Sequence, residues 1–252
     1  MRPLAIDLYC GAGGASAGLF RAGFDVLGVD IRMQPRFPIE RGMSFVQCDA
    51  LEFASRFPAM IRDAALIWAS PPCQAHSSLK SMHNAREHAD LIPATRAMLR
   101  ASGVPYIIEN VMGAPLIDPI MLCGTSFGLG VDDAELRRHR IFETSFPVLA
   151  PQCQHGLRSE VLGVYGGHVR NRKRRTIGIY GTGCRDSRRK TDRGVPDFSV
   201  EQGRAAMGID YMTVAELSQA IPPAYSEFLA RAAISSGVIK DEIVAFLEER
   251  GI

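Results

Sequence analysis

Asp7-Leu8-Tyr9-Cys10-Gly11-Ala12-Gly13-Gly14 joins the first apolar run of the chain to its first helical stretch. The run Leu4–Tyr9 reads as a strand and Gly14–Ala22 as a helix, so the glycines mark a strand-to-helix turn. Glycine lets the backbone approach a ligand closely, and a helix N-terminus offers free N–H groups. A turn of this kind can also serve tight packing alone. About twenty residues on, Asp30 ends the second strand, where a dinucleotide site binds ribose hydroxyls. The G-x-G-x-x-G spacing fails, because Ser16 takes the place of the third glycine.

Outward from this turn, short apolar runs alternate with helical stretches. Val26–Asp30, Ser44–Cys48, Ala65–Ala69 and Tyr106–Glu109 read as further strands, with Ala50–Phe57 and His88–Ser102 as helices between them. Alternation of this kind predicts an α/β fold with a parallel sheet and crossover helices. Met121–Cys123 and Arg140–Thr144 are expected to add strands at the far side. From Phe146 the pattern turns irregular and rich in Gly, Arg and Pro, with short β-like runs at Val161–Tyr165 and Thr176–Tyr180. Helical periodicity returns at Glu201, is broken by Pro222-Pro223, and ends in a helix from Lys240 to Glu249. The expected division is therefore 1–145 for the α/β part, 146–200 for a small basic subdomain, and 201–252 for a helical part packing back on the first.

The 252 residues carry a net charge of +2, which conceals an asymmetry. Between 156 and 193 stand eleven Lys and Arg against three acids, a net of +8, while the remainder nets −6. So dense a cationic stretch predicts a polyanion partner, nucleic acid, over a merely solvated loop. Its candidate contacts are Arg170, Arg172, Lys173, Arg174, Arg175, Arg188 and Arg189. No apolar stretch approaches membrane-spanning length, and six scattered cysteines without a C-x-x-C pair fit a reducing compartment. The expectation is a cytoplasmic protein of a prokaryotic or phage-infected cell, a monomer, away from membranes.

Pro71-Pro72-Cys73-Gln74 follows the apolar run that ends at Ala69. Two prolines cannot continue a strand, so the chain turns at the strand's C-terminal end and presents a thiol there. In an open α/β sheet that edge binds ligands. Polar Gln74, His76, Ser77 and Ser78 follow, which is not core sequence, so Cys73 is a candidate nucleophile. Glu109-Asn110-Val111 ends the fifth strand beside this loop, and a carboxyl closing so apolar a run tends toward a raised pKa. Arg138 and Arg140 alternate before another strand and suit a carbonyl oxygen and a phosphate. Asp49 ends the third strand. With the glycine turn and Asp30 it places three successive strand ends around an adenosine-bearing ligand, although a lone Asp there is more often a helix cap.

Taken in order, Asp7–Gly14, Asp30, Asp49, Pro71-Pro72-Cys73-Gln74, Glu109-Asn110-Val111, Arg138-x-Arg140 and Gln219-Ala220-Ile221-Pro222-Pro223 resemble the DNA cytosine-5 methyltransferase family. The resemblance implies a Rossmann-like S-adenosylmethionine-dependent methyltransferase fold with a small target-recognition subdomain, acting on double-stranded DNA. It implies that Cys73 attacks C6 of a flipped-out cytosine, that Glu109 engages N3 and the exocyclic amine, that Arg140 holds the base carbonyl, and that Arg138 supports the thiolate or a phosphate. S-adenosyl-L-methionine would lie along Tyr9, Gly11, Gly13, Gly14, Asp30, Ile31, Asp49, Pro72 and Gln219. The chain departs from the family at Ser70 in place of Gly, Leu136 in place of Gln, and Ser218-Gln219 in place of Gly-Asn. A catalytically idle DNA-binding relative, the same chemistry on RNA, and an NAD-linked oxidoreductase are the competing readings.

Cys153-x-His155, with His168 and Cys184 further on, has the residue types of a zinc site. The spacings fall outside the common finger patterns, so no metal is expected.

Overall fold

In a computed structural model of the chain, residues 2–72, 90–164 and 198–239 are described. Seven strands form one sheet: β1 Leu4–Leu8, β2 Asp25–Asp30, β3 Ser44–Gln47, β4 Leu66–Ala69, β5 Tyr106–Asn110, β6 Ile120–Leu122 and β9 Arg140–Thr144. Their spatial order is β3-β2-β1-β4-β5-β9-β6. The first five run parallel, whereas β9 enters antiparallel to β5 and β6 antiparallel to β9. The parallel sheet and its far-side strands are those expected, with β6 displaced by one residue.

Both faces of the sheet are covered. Ala5, Leu66, Trp68 and Ile107 pack in one core with Leu19, Tyr225 and Leu229. Ile6, Leu8, Ile67 and Ile108 pack on the other face with Phe53, Ile61 and Leu99. Alternate residues of one strand thus serve opposite cores, which is why these strands read as unbroken apolar runs. The covering helices are α1 Gly14–Arg21, α2 Ala50–Arg56, α3 Pro58–Asp63, α4 Ile92–Ser102, α5 Val200–Met207, α6 Val214–Gln219 and α7 Pro223–Ser235. Proline explains two boundaries, because its missing N–H is harmless in the first helical turn. Pro58 opens α3, a helix absent from the sequence reading, and Pro223 opens α7 after the break expected there. Capping boxes begin α5 (Ser199 with Gln202) and α6 (Thr213 with Glu216).

A small second sheet, ordered β10-β8-β7, contains β7 Gly130–Val131, β8 Ala134–Leu136 and β10 Glu160–Leu162. It draws strands from either side of residue 145. Its core joins Leu136, Leu162 and Val164 to Met207, Met212 and Leu217, and to Ala12 of the glycine turn. Residues 176–180 and the helix expected from Lys240 lie outside the described residues. Among the described residues, no helix is long and apolar enough to cross a membrane.

Candidate active site

Strand order reverses between β1 and β4, where the C-terminal ends of neighbouring parallel strands open a crevice. The glycine turn leaves β1 there, and the Pro71-Pro72 turn leaves β4. Tyr9, Gly11 and Gly13 have φ values of 61, 51 and 85°, a left-handed path that L side chains rarely adopt. A Cβ on Gly11 would meet nothing within 4 Å, so this glycine serves backbone conformation. A Cβ on Gly14 would run into Ile221 O and Ala220, so this one serves packing, against the residues that follow Gln219. Tyr211 Oη donates to Gly13 O at 3.0 Å and pins the turn from the helical side.

The two strand-end acids behave differently. Asp30 Oδ2 accepts from Gly11 N at 3.0 Å and Oδ1 from Arg32 N at 2.9 Å, so this carboxylate braces the glycine turn. Asp49 is the N-cap of α2, its Oδ1 accepting from Leu51 N and Glu52 N. Ile31, beside Asp30, is 63% exposed, an apolar side chain at the crevice edge suited to the face of an adenine. The open turn, the two acids and this apolar flank fit an adenosine-bearing group. Gln219 is exposed at the end of α6.

The Pro-Pro turn is tied to the neighbouring strand, because Asn110 Nδ2 donates to Pro71 O at 3.0 Å. Pro72 is half-buried. Cys73 and Gln74 lie outside the described residues, as do all seven basic residues expected to contact DNA.

Glu109 occupies the end of β5 and is buried. Burial pushes its carboxyl above the usual carboxylate range. Arg140, the hydroxyl of Ser70 and then Arg138 oppose that rise without cancelling it. The Arg140 Nε–Glu109 Oε1 distance is 3.2 Å. The antiparallel return of β9 creates this contact, since Asn110 pairs with Ile141 and Arg140 is the next residue along. Ser70 Oγ also accepts from Trp68 Nε1 at 2.9 Å, so the indole, the hydroxyl and the carboxyl form a short chain. Arg138 is buried and turns the other way. It donates to Val164 O at 2.7 Å and Ser218 O at 2.8 Å, and its own carbonyl accepts from Tyr225 Oη. It therefore holds the β8–β9 link to the small sheet and to α6.

Ser70 was legible only as a departure from the glycine usual at that place. The sequence marks Asp7 only as the start of the glycine turn, although it is the most deeply placed acid near the site. It is fully buried, accepts from Ser16 Oγ at 2.5 Å, and has a carboxyl pushed up to about 7, first by burial. Arg96 and Glu143, 47 residues apart, carry no local signal of their pairing. Their 2.7 Å ion pair joins α4 to β9 and steadies the strand that begins at Arg140.

No family model matches the sequence, and no curated protein matches it. Solved structures do match in fold. One, described as a DNA modification methyltransferase encoded within an Escherichia coli prophage, is 15% identical with a TM-score of 0.53, covering 93% of this chain and 99% of that one. The Dnmt2 methyltransferase of S. pombe is 13% identical with a TM-score of 0.55, covering 92% and 98%. The methyltransferase EhMeth of Entamoeba histolytica is 12% identical with a TM-score of 0.55, covering 96% and 99%. The chain thus has the Rossmann-like α/β fold of these methyltransferase structures. The likeness to each of the three runs nearly end to end.

Proposed function

We propose that this protein methylates C5 of a cytosine flipped out of double-stranded DNA, with Cys73 as covalent nucleophile and S-adenosylmethionine as donor. The observation that carries the reading is Glu109: a buried carboxyl with a raised pKa, held by Arg140 and Ser70, beside the Pro71-Pro72 turn that leads into Cys73. A carboxyl that keeps its proton there can donate it to N3 of the base. Protonation at N3 makes C6 electrophilic enough for the Cys73 thiolate to add, and the C5–C6 electron pair then becomes available at C5. S-adenosylmethionine, when bound along the glycine turn, Asp30, Ile31 and Asp49, supplies an electrophilic methyl group to C5. Loss of the C5 proton to water, departure of the Cys73 sulfur from C6 and return of the N3 proton to Glu109 restore the aromatic ring, the thiolate and the carboxyl. Arg140 suits the cytosine carbonyl oxygen, and its pairing with Glu109 aligns both groups on one edge of the base.

Residues 1–145 form the catalytic part on this reading, 146–200 the target-recognition region, and 201–252 the part that closes on α1. A duplex containing 5-fluorocytosine tests the chemistry, because fluorine cannot leave C5 as a proton does. With S-adenosylmethionine present, the expected result is a protein–DNA adduct stable to denaturation that disappears in Cys73→Ala. A catalytically idle DNA-binding relative would bind the duplex and give no adduct, and an adduct formed only on RNA would change the substrate.

A further inference from the structure

Cys123, His139, Cys153 and His155 converge on one point, with their ligand atoms all within 4.8 Å of one another. Cys123 Sγ lies 3.3 Å from His155 Nε2, and Cys153 Sγ lies 3.5 Å from His139 Nε2. The two imidazoles meet edge to face, their centroids 5.1 Å apart. Zinc with bonds of about 2.3 Å to sulfur and about 2.0–2.1 Å to nitrogen sets tetrahedral neighbours roughly 3.3–3.8 Å apart. Both measured sulfur–nitrogen separations fall in that interval. Two thiols and two imidazoles meeting this closely match a structural zinc site in number and kind of donor.

The fold builds the cluster from three separate places. Leu122 pairs with Arg140 across β6 and β9, and the antiparallel register then sets Cys123 opposite His139. Cys153 and His155 come from the connection between β9 and β10, an alternating pair that aims two donors from one short turn. That turn is anchored independently of the cluster: Gly156 N donates to both oxygens of the buried Glu135, at 3.0 and 3.1 Å. The thiol of Cys123 has Thr125 Oγ1 at 3.1 Å, and that hydroxyl accepts from Gln154 N at 3.2 Å, so outer contacts orient the donors. Cys123 is fully buried while His155 is exposed, which leaves an entry path on one side.

We infer that Cys123, His139, Cys153 and His155 bind one zinc ion, which fastens the connection leading into the basic segment to the edge of the main sheet. The site is structural, because four protein ligands leave no position for water or substrate. It is separate from the proposed chemistry and does not depend on it. His139 stands between Arg138 and Arg140, so the ion also fixes the backbone from which both arginines project.

Metal analysis of the full chain from zinc-supplemented culture should give one zinc per chain after exhaustive dialysis. Cobalt replacing it should show the visible bands of tetrahedral Co(II) and thiolate-to-cobalt charge transfer in the ultraviolet. His155→Ala, at the exposed ligand where refolding is least at risk, and Cys153→Ser should each lose the zinc and the thiolate signature of the wild type. Chelation should lower the melting temperature of the wild type, with recovery on adding zinc and none on adding magnesium. Less than stoichiometric zinc in the wild type, an octahedral cobalt spectrum, or zinc retained in full by both variants would each overturn the assignment. So would thiol titration showing Cys123 and Cys153 joined to each other.

Discussion

Asp7 and Glu109 are two buried carboxyls set on neighbouring parts of one crevice, and their surroundings divide their roles. Asp7 has a serine hydroxyl for company and, among the described residues, no cation to offset its burial, which lifts it from an ordinary value near 3.8 to about 7. A folded-state pKa above the unfolded one means that the folded state binds more protons between those values. Stability from this group is therefore complete below about pH 4 and is lost as pH rises through about 7, by at most about 4 kcal/mol. Asp7→Asn should flatten the fall in melting temperature between about pH 4 and about pH 7, measured by thermal denaturation. An unchanged slope would place the proton elsewhere. Glu109 has Arg140 against it and still stays above the usual range, the direction that the proposed proton donation to N3 requires. Glu109→Gln should lower turnover about 10²–10⁴-fold while leaving S-adenosylmethionine affinity within a few-fold, read by single-turnover methylation and calorimetry. Cys73→Ser should lose roughly 10³-fold or more, because a hydroxyl is a far poorer nucleophile toward C6. Retention of near-normal activity by that variant would remove the covalent mechanism.

Among elements, the α1–α7 pair governs how the C-terminal part meets the glycine turn. Gly18 faces the first turn of α7, and a Cβ added there would collide with Pro223 O and Ser226 Oγ. Ser226 Oγ in turn donates to Ala15 O at 2.8 Å, so the helices touch at backbone distance. Gly18→Ala should therefore destabilise the protein by about 2–4 kcal/mol and shift its denaturant midpoint, since the clash is with backbone that cannot rotate away. The helices were largely visible in the sequence, because amphipathic spacing and capping residues are local. The exception, α3, began at a proline whose role as first helical residue and as breaker look alike without the fold. The strands β1 to β5 were legible for the same local reason. Far less legible was the fate of Arg138 and Arg140. Alternation put them on one face, yet Arg138 reaches Val164 and Ser218 while Arg140 turns to Glu109, because two different sheets claim the chain on either side of His139.

For the molecule as a whole, charge is segregated along the chain, +8 in residues 156–193 and −6 elsewhere. If that segment meets DNA phosphates, affinity should fall steeply with salt, with a slope of about −0.9 per phosphate contact. Replacing Arg174 and Arg175 together by alanine should weaken binding across different duplexes and reduce the slope by up to about 2, read by titration over a range of salt. An unchanged slope would move the DNA interface off this segment. Local sequence sets the order of the glycine turn, the strand-end acids, the Pro-Pro turn and the glutamate, and the alternation that makes a parallel sheet. Those are properties of neighbouring residues, carried by periodicity and by what glycine and proline permit. Tertiary structure alone decided which distant side chains meet. The antiparallel return of β9 brought Arg140 to Glu109, and the same register set Cys123 opposite His139. A loop 32 residues from Cys123 then supplied His155. Strand pairing across long separations leaves no period in the sequence, so the ion pair and the four-residue cluster became visible only once the sheet had closed.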